Sequence, residues 1–235
     1  MRVLIVYKRS FLEAHGDVGK GLSQLDAPDR ARFVRADAEN RRALGDVTAH
    51  LARRGVPVDA VHRGSQAARR TYDLVVALGG DGTFFAAARH LRTAPILGIN
   101  SDPAHSLGLW MGADRATFGP VLDRALEGRL KATLIRRMSI EINGHATREL
   151  AFNDALVAHK NPAAMTRYRL WTGTATEDHK SSGVWVSTAA GSTAAIRSAG
   201  GRRMRIESRR LQFLVREPYT WPVRRYAITS GFTPK

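Results

Sequence analysis

The chain has 235 residues, a formal net charge of +16 and no cysteine. This length allows one large domain or two small ones, and the 43% hydrophobic and 25% charged content is typical of a globular protein. The lack of cysteine excludes disulfides, thiolate zinc sites and cysteine nucleophiles. No apolar run reaches membrane-spanning length, and residues 1–7 are too few for a signal peptide, so we expect a cytoplasmic protein without a membrane partner.

The positive charge raises the question of a nucleic-acid partner. Against this, the basic residues are scattered along the chain, and the densest patches, at residues 202–205 and 209–210, are short and carry no aromatic stacking pattern. Charge alone indicates only nonspecific attraction. We therefore expect no nucleic-acid function, and note that a basic surface also suits a polyphosphate ligand.

Strand and helix patterns alternate in the first half of the chain. We predict strands over residues 2–7, 56–61, 73–77 and 95–100, and helices over residues 37–54, 84–91 and 114–126. Residues 11–36 are polar and dotted with glycine, and give no clear pattern. The alternation predicts an α/β domain with a doubly wound, mostly parallel sheet over residues 1–130.

The second half of the chain has a different sequence pattern, in which short strands predominate. Residues 139–142 alternate in polarity, Asn143-Gly144 is a strong hairpin turn, and a strand is predicted to follow over residues 150–157. Further strands are predicted over residues 167–171, 184–188 and 211–216. We predict a β-rich domain over residues 131–224, with residues 225–235 either returning to the first sheet or closing the second domain.

The glycine-rich turn at residues 78–83, Leu-Gly-Gly-Asp-Gly-Thr, follows an apolar strand and precedes a helix. Glycine lets the backbone approach an anion closely, and the free N–H groups of the following helix point at a bound phosphate. Asp81 would repel that phosphate, so chemistry as a proton acceptor or metal partner explains it better than packing does. The simpler interpretation is a tight turn in which Asp81 caps the helix.

Three further stretches accompany this turn in a characteristic order. They are GINSDP at residues 98–103, FNDALV at residues 152–157 and KSSGVWVSTAAGSTAA at residues 180–195. Together with the glycine turn they resemble the NAD kinase family over most of residues 70–217. The first and third stretches, with FLVREP at residues 213–218, look most like its mitochondrial-type branch.

The resemblance implies a specific reaction. Family members transfer the γ-phosphoryl of ATP, or sometimes polyphosphate, to the 2′-hydroxyl of the adenosine ribose of NAD, and Mg²⁺ accompanies ATP. It implies that Asp81 accepts the proton of that hydroxyl. It further implies nucleotide-binding roles, with no dedicated protein metal site, for Gly79, Gly80, Gly82, Thr83, Asn100, Asn153, Asp154, Ser187, Thr188, Gly191, Ser192 and Thr193.

Family architecture implies an α/β N-terminal domain and a β-rich C-terminal domain with the site between them, in a homodimer or homotetramer. We also expect Ser192 to cap a second small-residue helix. This chain departs from the family pattern at four positions, where the usual Glu is Asp154, the usual Pro-Thr is Ala189-Ala190, and the usual Tyr is Ala195. These changes remove contacts from the dinucleotide pocket and leave Asp81 and the glycine turn intact.

Two other functions remain open at this point. Diacylglycerol- and sphingosine-type lipid kinases share the Gly-Gly-Asp-Gly-Thr turn in a related fold, and a catalytically weak sensor of NAD or NADP would retain the pocket without turnover. The second and third stretches favour the dinucleotide enzyme. The choice between ATP and polyphosphate, and between NAD and NADH, is left open. His90, His105, His159 and His179 have no metal-like spacing and are predicted to be surface or loop residues.

Overall fold

The computed structural model describes residues 1–10, 12–13, 25–65, 71–91, 93–222 and 225–233. The chain divides into two compact units, Met1–Ala132 and Thr133–Lys235. Each unit has its own sheet system and is described separately.

The first unit contains a five-stranded parallel sheet with the strand order β2-β1-β3-β4-β5. Its strands are β1 (Val3–Tyr7), β2 (Val58–His62), β3 (Leu74–Gly79), β4 (Ile96–Asn100) and β5 (Ala113–Asp114), and its helices are α1 (Ala27–Arg53), α2 (Asp81–His90) and α3 (Phe118–Leu126). This order is one of the two common doubly wound arrangements. The predicted fold class of the N-terminal half is confirmed.

Helices cover both faces of this sheet. On one face, Ile5, Val76 and Ile99 lie in a buried cluster with Val47 of α1 and Leu122 of α3. Because side chains alternate along a strand, the intervening residues point to the opposite face, where α2 packs against β1, β3 and β4. A sheet buried on both faces explains why these strands are almost continuously apolar in sequence.

Helix α1 begins ten residues earlier than the apolar periodicity predicts, at Ala27. Asp26 caps it by accepting a hydrogen bond from the backbone N–H of Asp29 at 2.8 Å, and proline stands in its first turn. Residues 27–36 are mostly exposed, so they show no apolar stripe to predict from. Helix α3 begins later than predicted, because Asp114 lies in β5 and binds the backbone N–H groups of Ala116 and Thr117.

The second unit is built from antiparallel strands. They are β6 (Glu141–Ile142), β7 (His145–Ala146), β8 (Asp154–Val157), β9 (Thr166–Trp171), β10 (Thr176–Ser181), β11 (Gly183–Ser187), β12 (Gln212–Arg216) and β13 (Ser230–Phe232), with one short helix, α4 (Ala195–Ser198). They form a four-stranded sheet in the order β13-β12-β11-β8 and the two-stranded pairs β9-β10 and β6-β7. The predicted β-rich character is confirmed.

Local predictions in this unit have mixed outcomes. The hairpin turn is present, with positive φ angles of 54° at Asn143 and 79° at Gly144. The strand predicted over residues 150–157 begins only at Asp154, and β10 was not predicted because its sequence is polar throughout. Strand β13 pairs with β12, so the last described segment closes the second unit and does not return to the first sheet.

His179 is not the surface or loop residue that the sequence predicts. It is 3% exposed rather than on the surface, and its ring stacks between those of Tyr168 and Tyr226 at centroid distances of 5.4 and 4.7 Å. Together with the buried cluster of Val184, Phe213 and Val215, this stack forms the interior of the second unit. No helix in the described part of the chain is both long and apolar enough to cross a bilayer.

Candidate active site

The glycine turn lies at the carboxyl edge of the parallel sheet. Strand β3 ends at Gly79 and α2 begins at Asp81, so Gly80 alone joins them. Beside it, the chain leaves the end of β1 at Lys8, whose backbone N–H donates to the carbonyl of Leu78 at 2.9 Å. From this point β1 connects toward β2 and β3 connects toward β4, on opposite sides. This is the topological switch point where doubly wound sheets bind ligands.

Two positions of the turn, Gly79 and Gly80, have no room for a side chain. A Cβ at Gly79 would lie 2.5 Å from Thr83 Oγ1, and one at Gly80 would lie 2.7 Å from Ser106 Oγ. Thr83 is fully buried, and its Oγ1 has no hydrogen-bond partner among the described residues. Buried hydroxyls are normally satisfied, so the turn holds an unused polar group beside the first amides of α2. This is the arrangement expected of a phosphate cradle.

Asp81 does not cap α2. The capping position is Gly80, and the carboxylate of Asp81 instead accepts hydrogen bonds from the backbone N–H groups of Leu109 at 3.1 Å and Trp110 at 2.9 Å. The simpler interpretation of Asp81 as a helix cap is therefore wrong. The structure holds a partly exposed, oriented carboxylate at the mouth of the glycine turn.

Asn100 ends the neighbouring strand β4, but both ends of its amide are occupied. Its Nδ2 donates to the carbonyl of Ser106 at 3.0 Å, and its Oδ1 accepts from the backbone N–H of Asp102 at 3.1 Å. The side chain is 5% exposed. It lies next to the turn, since the backbone N–H of Ser101 donates to the carbonyl of Gly79 at 3.1 Å.

In the second unit, the predicted dinucleotide residues come together at one end of β8 and β11. Asp154 pairs with Ser187 in the strand register, and the backbone N–H of Thr188 donates to the carbonyl of Asn153 at 3.0 Å. Gly191 packs so tightly here that a Cβ would lie 2.4 Å from the backbone of Asn153. Residues distant in sequence thus form one compact cluster.

The Gly-Ser-Thr stretch forms a 3₁₀ turn, Ala190–Thr193, rather than a helix start. Ser192 is fully buried, donates to the carbonyl of Ala189 at 2.7 Å and accepts from the backbone N–H of Met204 at 2.9 Å. The N-cap of α4 is Ala194, so the expectation that Ser192 caps a helix is wrong. Thr193 is exposed and remains available to a ligand.

Two acceptor atoms in this cluster are unsatisfied. The side-chain oxygen of Asn153 and Oδ1 of Asp154 are buried and have no hydrogen-bond partner within the described ranges. The other carboxylate oxygen, Oδ2 of Asp154, accepts from the backbone N–H of Ala195 at 3.0 Å. Buried acceptors of this kind match a ligand that brings donors, such as ribose hydroxyls or an amide.

Burial raises the pKa of Asp154 above its ordinary value, although the side chain of Ser187 and the amides of Ile196 and Ala195 act in the opposite direction. Because the pKa of this carboxyl is higher in the folded protein than in the unfolded chain, its contribution to stability is fully present below about pH 4. That contribution is lost as the pH rises through the pKa of the folded state.

We therefore expect the free energy of unfolding of Asp154→Asn, relative to the parent, to increase from pH 4 to pH 7. Denaturant titrations at both pH values measure this difference. A difference that does not change with pH would contradict the prediction.

Several backbone amides that bind the site carboxylates could not be predicted from the sequence. The amides that hold Asp81 belong to Leu109 and Trp110, and the group that holds Asp154 is the amide of Ala195. Any residue but proline supplies a backbone N–H, so residue type cannot reveal it. The one local signal was Gly108, whose φ of 57° allows the bend before the two amides of the first unit.

The structure is that of a doubly wound α/β protein with a glycine-rich turn at its switch point and a β-rich second unit. Residues 19–129 match the family model of the ATP-NAD kinase N-terminal domain. A probable NADH kinase of Oryza sativa subsp. japonica is 39% identical in an alignment of 168 positions, which covers 62% of this chain and 52% of that protein. Part of the chain therefore matches the NAD kinase family model, and the chain is similar to proteins named NAD kinase and NADH kinase.

Two solved structures share this fold. An NAD kinase from Archaeoglobus fulgidus, in complex with ATP, superposes with a TM-score of 0.66 at 22% identity and covers 99% of this chain and 77% of its own. A yeast NADH kinase complexed with NADH superposes with a TM-score of 0.71 at 16% identity, and the superposition covers 100% of this chain and 66% of the yeast chain. The chain spans about half the length of the plant relatives that it matches.

Proposed function

We propose that this chain is an NAD kinase, which transfers a phosphoryl group from ATP to the 2′-hydroxyl of the adenosine ribose of NAD and yields NADP. The observation that carries the proposal is the placement of Asp81. Its carboxylate is oriented by two backbone amides directly after the Gly79-Gly80 turn, at the switch point of a parallel sheet. The match to the NAD kinase family model supports the same reaction, and nothing in the comparisons favours a lipid kinase or a sensor.

The geometry of the first unit supports the roles proposed for its residues. The glycine turn and the first amides of α2 receive the phosphate being transferred, and the free hydroxyl of Thr83 adds a donor. Asp81 accepts the proton of the attacking hydroxyl. Phosphoryl transfer requires little more than positioning and charge neutralisation, so one base and one cradle suffice.

Mg²⁺ enters the proposal as part of Mg-ATP. The described residues contain no group of three or more acidic or histidine side chains that would cage an ion. An ion carried by phosphate oxygens and water needs few protein ligands, so the carboxylate of Asp81 and the cradle fit it without a cage. Bound there, Mg²⁺ would neutralise charge on the triphosphate.

The second-unit cluster is proposed to hold the dinucleotide. The unsatisfied oxygens of Asn153 and Asp154 accept hydrogen bonds from its ribose or amide groups, and Thr193 is exposed beside them. The shorter side chain of Asp154, compared with the usual Glu, favours a water-bridged contact. The remaining predicted residues, Ser187, Thr188, Gly191 and Ser192, shape this cluster through internal bonds.

The proposal keeps two candidate phosphoryl donors, ATP and polyphosphate, and two candidate acceptors, NAD and NADH. The segment from Gly201 to Arg210 is anchored to Ser192 by the amide of Met204, and four of its arginine side chains are exposed: Arg202, Arg203, Arg205 and Arg209. Arginine binds phosphate oxygens well, so polyphosphate is retained as an alternative donor. Both NAD and NADH are retained as acceptors, because relatives named NADH kinase match the chain.

The experiment is NADP or NADPH formation by the purified protein, with each acceptor paired with Mg-ATP and with polyphosphate. Product formation that saturates in both substrates is expected. Dinucleotide binding without product would support a sensor, and turnover of a diacylglycerol or sphingoid base would support a lipid kinase. We also propose a cytoplasmic location and a homodimer or homotetramer, which cell fractionation and light scattering after gel filtration would test.

A further inference from the structure

A loop from Ser101 to Met111, here termed the clamp loop, connects Asn100 to Asp81. At its start, the amide of Asn100 binds the loop twice, through the backbone N–H of Asp102 and the carbonyl of Ser106. At its end, the backbone N–H groups of Leu109 and Trp110 bind the two carboxylate oxygens of Asp81. The clamp loop is therefore fastened at its start to the last residue of β4 and at its end to the first residue of α2.

Gly108 joins these two fastenings. Its φ is 57°, and a Cβ at this position would lie 2.6 Å from Nδ2 of Asn100. The backbone therefore passes directly against the Asn100 amide in a left-handed conformation that suits glycine. A shift of the Asn100 side chain would displace the bend immediately before the two amides that hold Asp81.

The end of the clamp loop also packs on α2. The ring of Trp110 stacks on Phe84 at a centroid distance of 5.8 Å and meets Phe85 edge-on at 6.1 Å. In contrast, Leu107 and Leu109 are 93% and 71% exposed. Trp110 thus anchors the far end while the leucine side chains make little contribution to the position of the loop.

We propose that Asn100 is a positioning residue, which sets the orientation of the Asp81 carboxylate through the backbone of the clamp loop. The resemblance to NAD kinases implies instead that Asn100 contacts the nucleotide. Its buried amide already has one structural partner at each end, and this favours the indirect role. The catalytic part of this inference rests on the proposed kinase function.

The test uses Asn100→Asp, which keeps the size of the side chain and its acceptor for Asp102 but loses the donor to Ser106. We expect kcat to fall about 10- to 100-fold, because misplacement of a catalytic group by about 1 Å has effects of that size. KM for the dinucleotide should stay within about twofold. Leu107→Ala, in the same loop but exposed, is the matched control and should leave both constants unchanged.

A coupling experiment separates positioning from a general loss of structure. Added to Asp81→Asn, the Asn100→Asp change should lower the residual turnover by less than about twofold, since the two residues act as a unit. Full additivity of the two effects, or a raised KM with unchanged kcat, would overturn the proposal. Gly108→Ala, which disturbs the same bend, serves as a second variant if Asn100→Asp does not fold.

Amide hydrogen exchange tests the clamp without any turnover. The N–H groups of Leu109 and Trp110 should exchange at least about tenfold faster in Asn100→Asp and in Asp81→Asn than in the parent, because each change removes a fastening. If the parent makes no product, the kinase proposal fails while this measurement still decides the clamp. Unchanged exchange in Asn100→Asp would overturn the clamp itself.

Discussion

Replacement of Asp81 by asparagine is expected to lower kcat by about 10²- to 10⁴-fold, the usual contribution of a general base. Asparagine has the same shape but cannot accept the proton of the ribose hydroxyl. Binding should persist, because the glycine turn, Thr83 and the second-unit cluster are unchanged. We expect the dissociation constant of the dinucleotide to stay within about threefold, since the residues proposed to bind it lie in the second unit and are not changed.

Steady-state kinetics with Mg-ATP and isothermal calorimetry with the dinucleotide measure the two quantities. Asp73→Asn is the matched control, because Asp73 stands just before the opposite end of β3 and binds the backbone N–H of Arg2. It should retain the parental kcat. An Asp81→Asn enzyme with undiminished kcat would remove Asp81 from the mechanism.

Replacement of Gly191 by alanine is expected to destabilise the protein by roughly 1–3 kcal/mol, the range seen when a packed interior is overfilled. The added Cβ would lie 2.4 Å from backbone atoms of Asn153, which cannot rotate away as a side chain would. The adjustment should displace the free oxygens of Asn153 and Asp154. We therefore also expect dinucleotide affinity to fall at least about tenfold.

Denaturant midpoints and calorimetric titration measure these effects. Gly45→Ala is the control glycine, since it lies within α1 and a Cβ there would meet no atom within 4 Å. That change should stabilise the protein by about 0.5–1 kcal/mol through helix propensity. Parental stability and affinity in Gly191→Ala would show that the cluster tolerates displacement of the Asn153 backbone.

The resemblance to NAD kinases came from ordered short motifs, and the predicted fold class came from periodicity. Strands buried on both faces are apolar throughout, so β1, β3 and β4 were visible in sequence. The first part of α1 was not visible, because an exposed helix turn has no apolar stripe. Strand β10 was not predicted for a related reason, because it contains no apolar residues and therefore shows no alternation of apolar and polar side chains.

The sequence by itself determined which residue types can carry the chemistry: one carboxylate in a glycine turn, and an Asn-Asp pair followed later by Gly-Ser-Thr. Only the tertiary structure decided what holds them. The backbone amides of Leu109 and Trp110 orient Asp81, and that of Ala195 binds Asp154. Backbone groups are common to almost every residue and are brought to a site by long-range folding, so their role is absent from the local pattern of side chains.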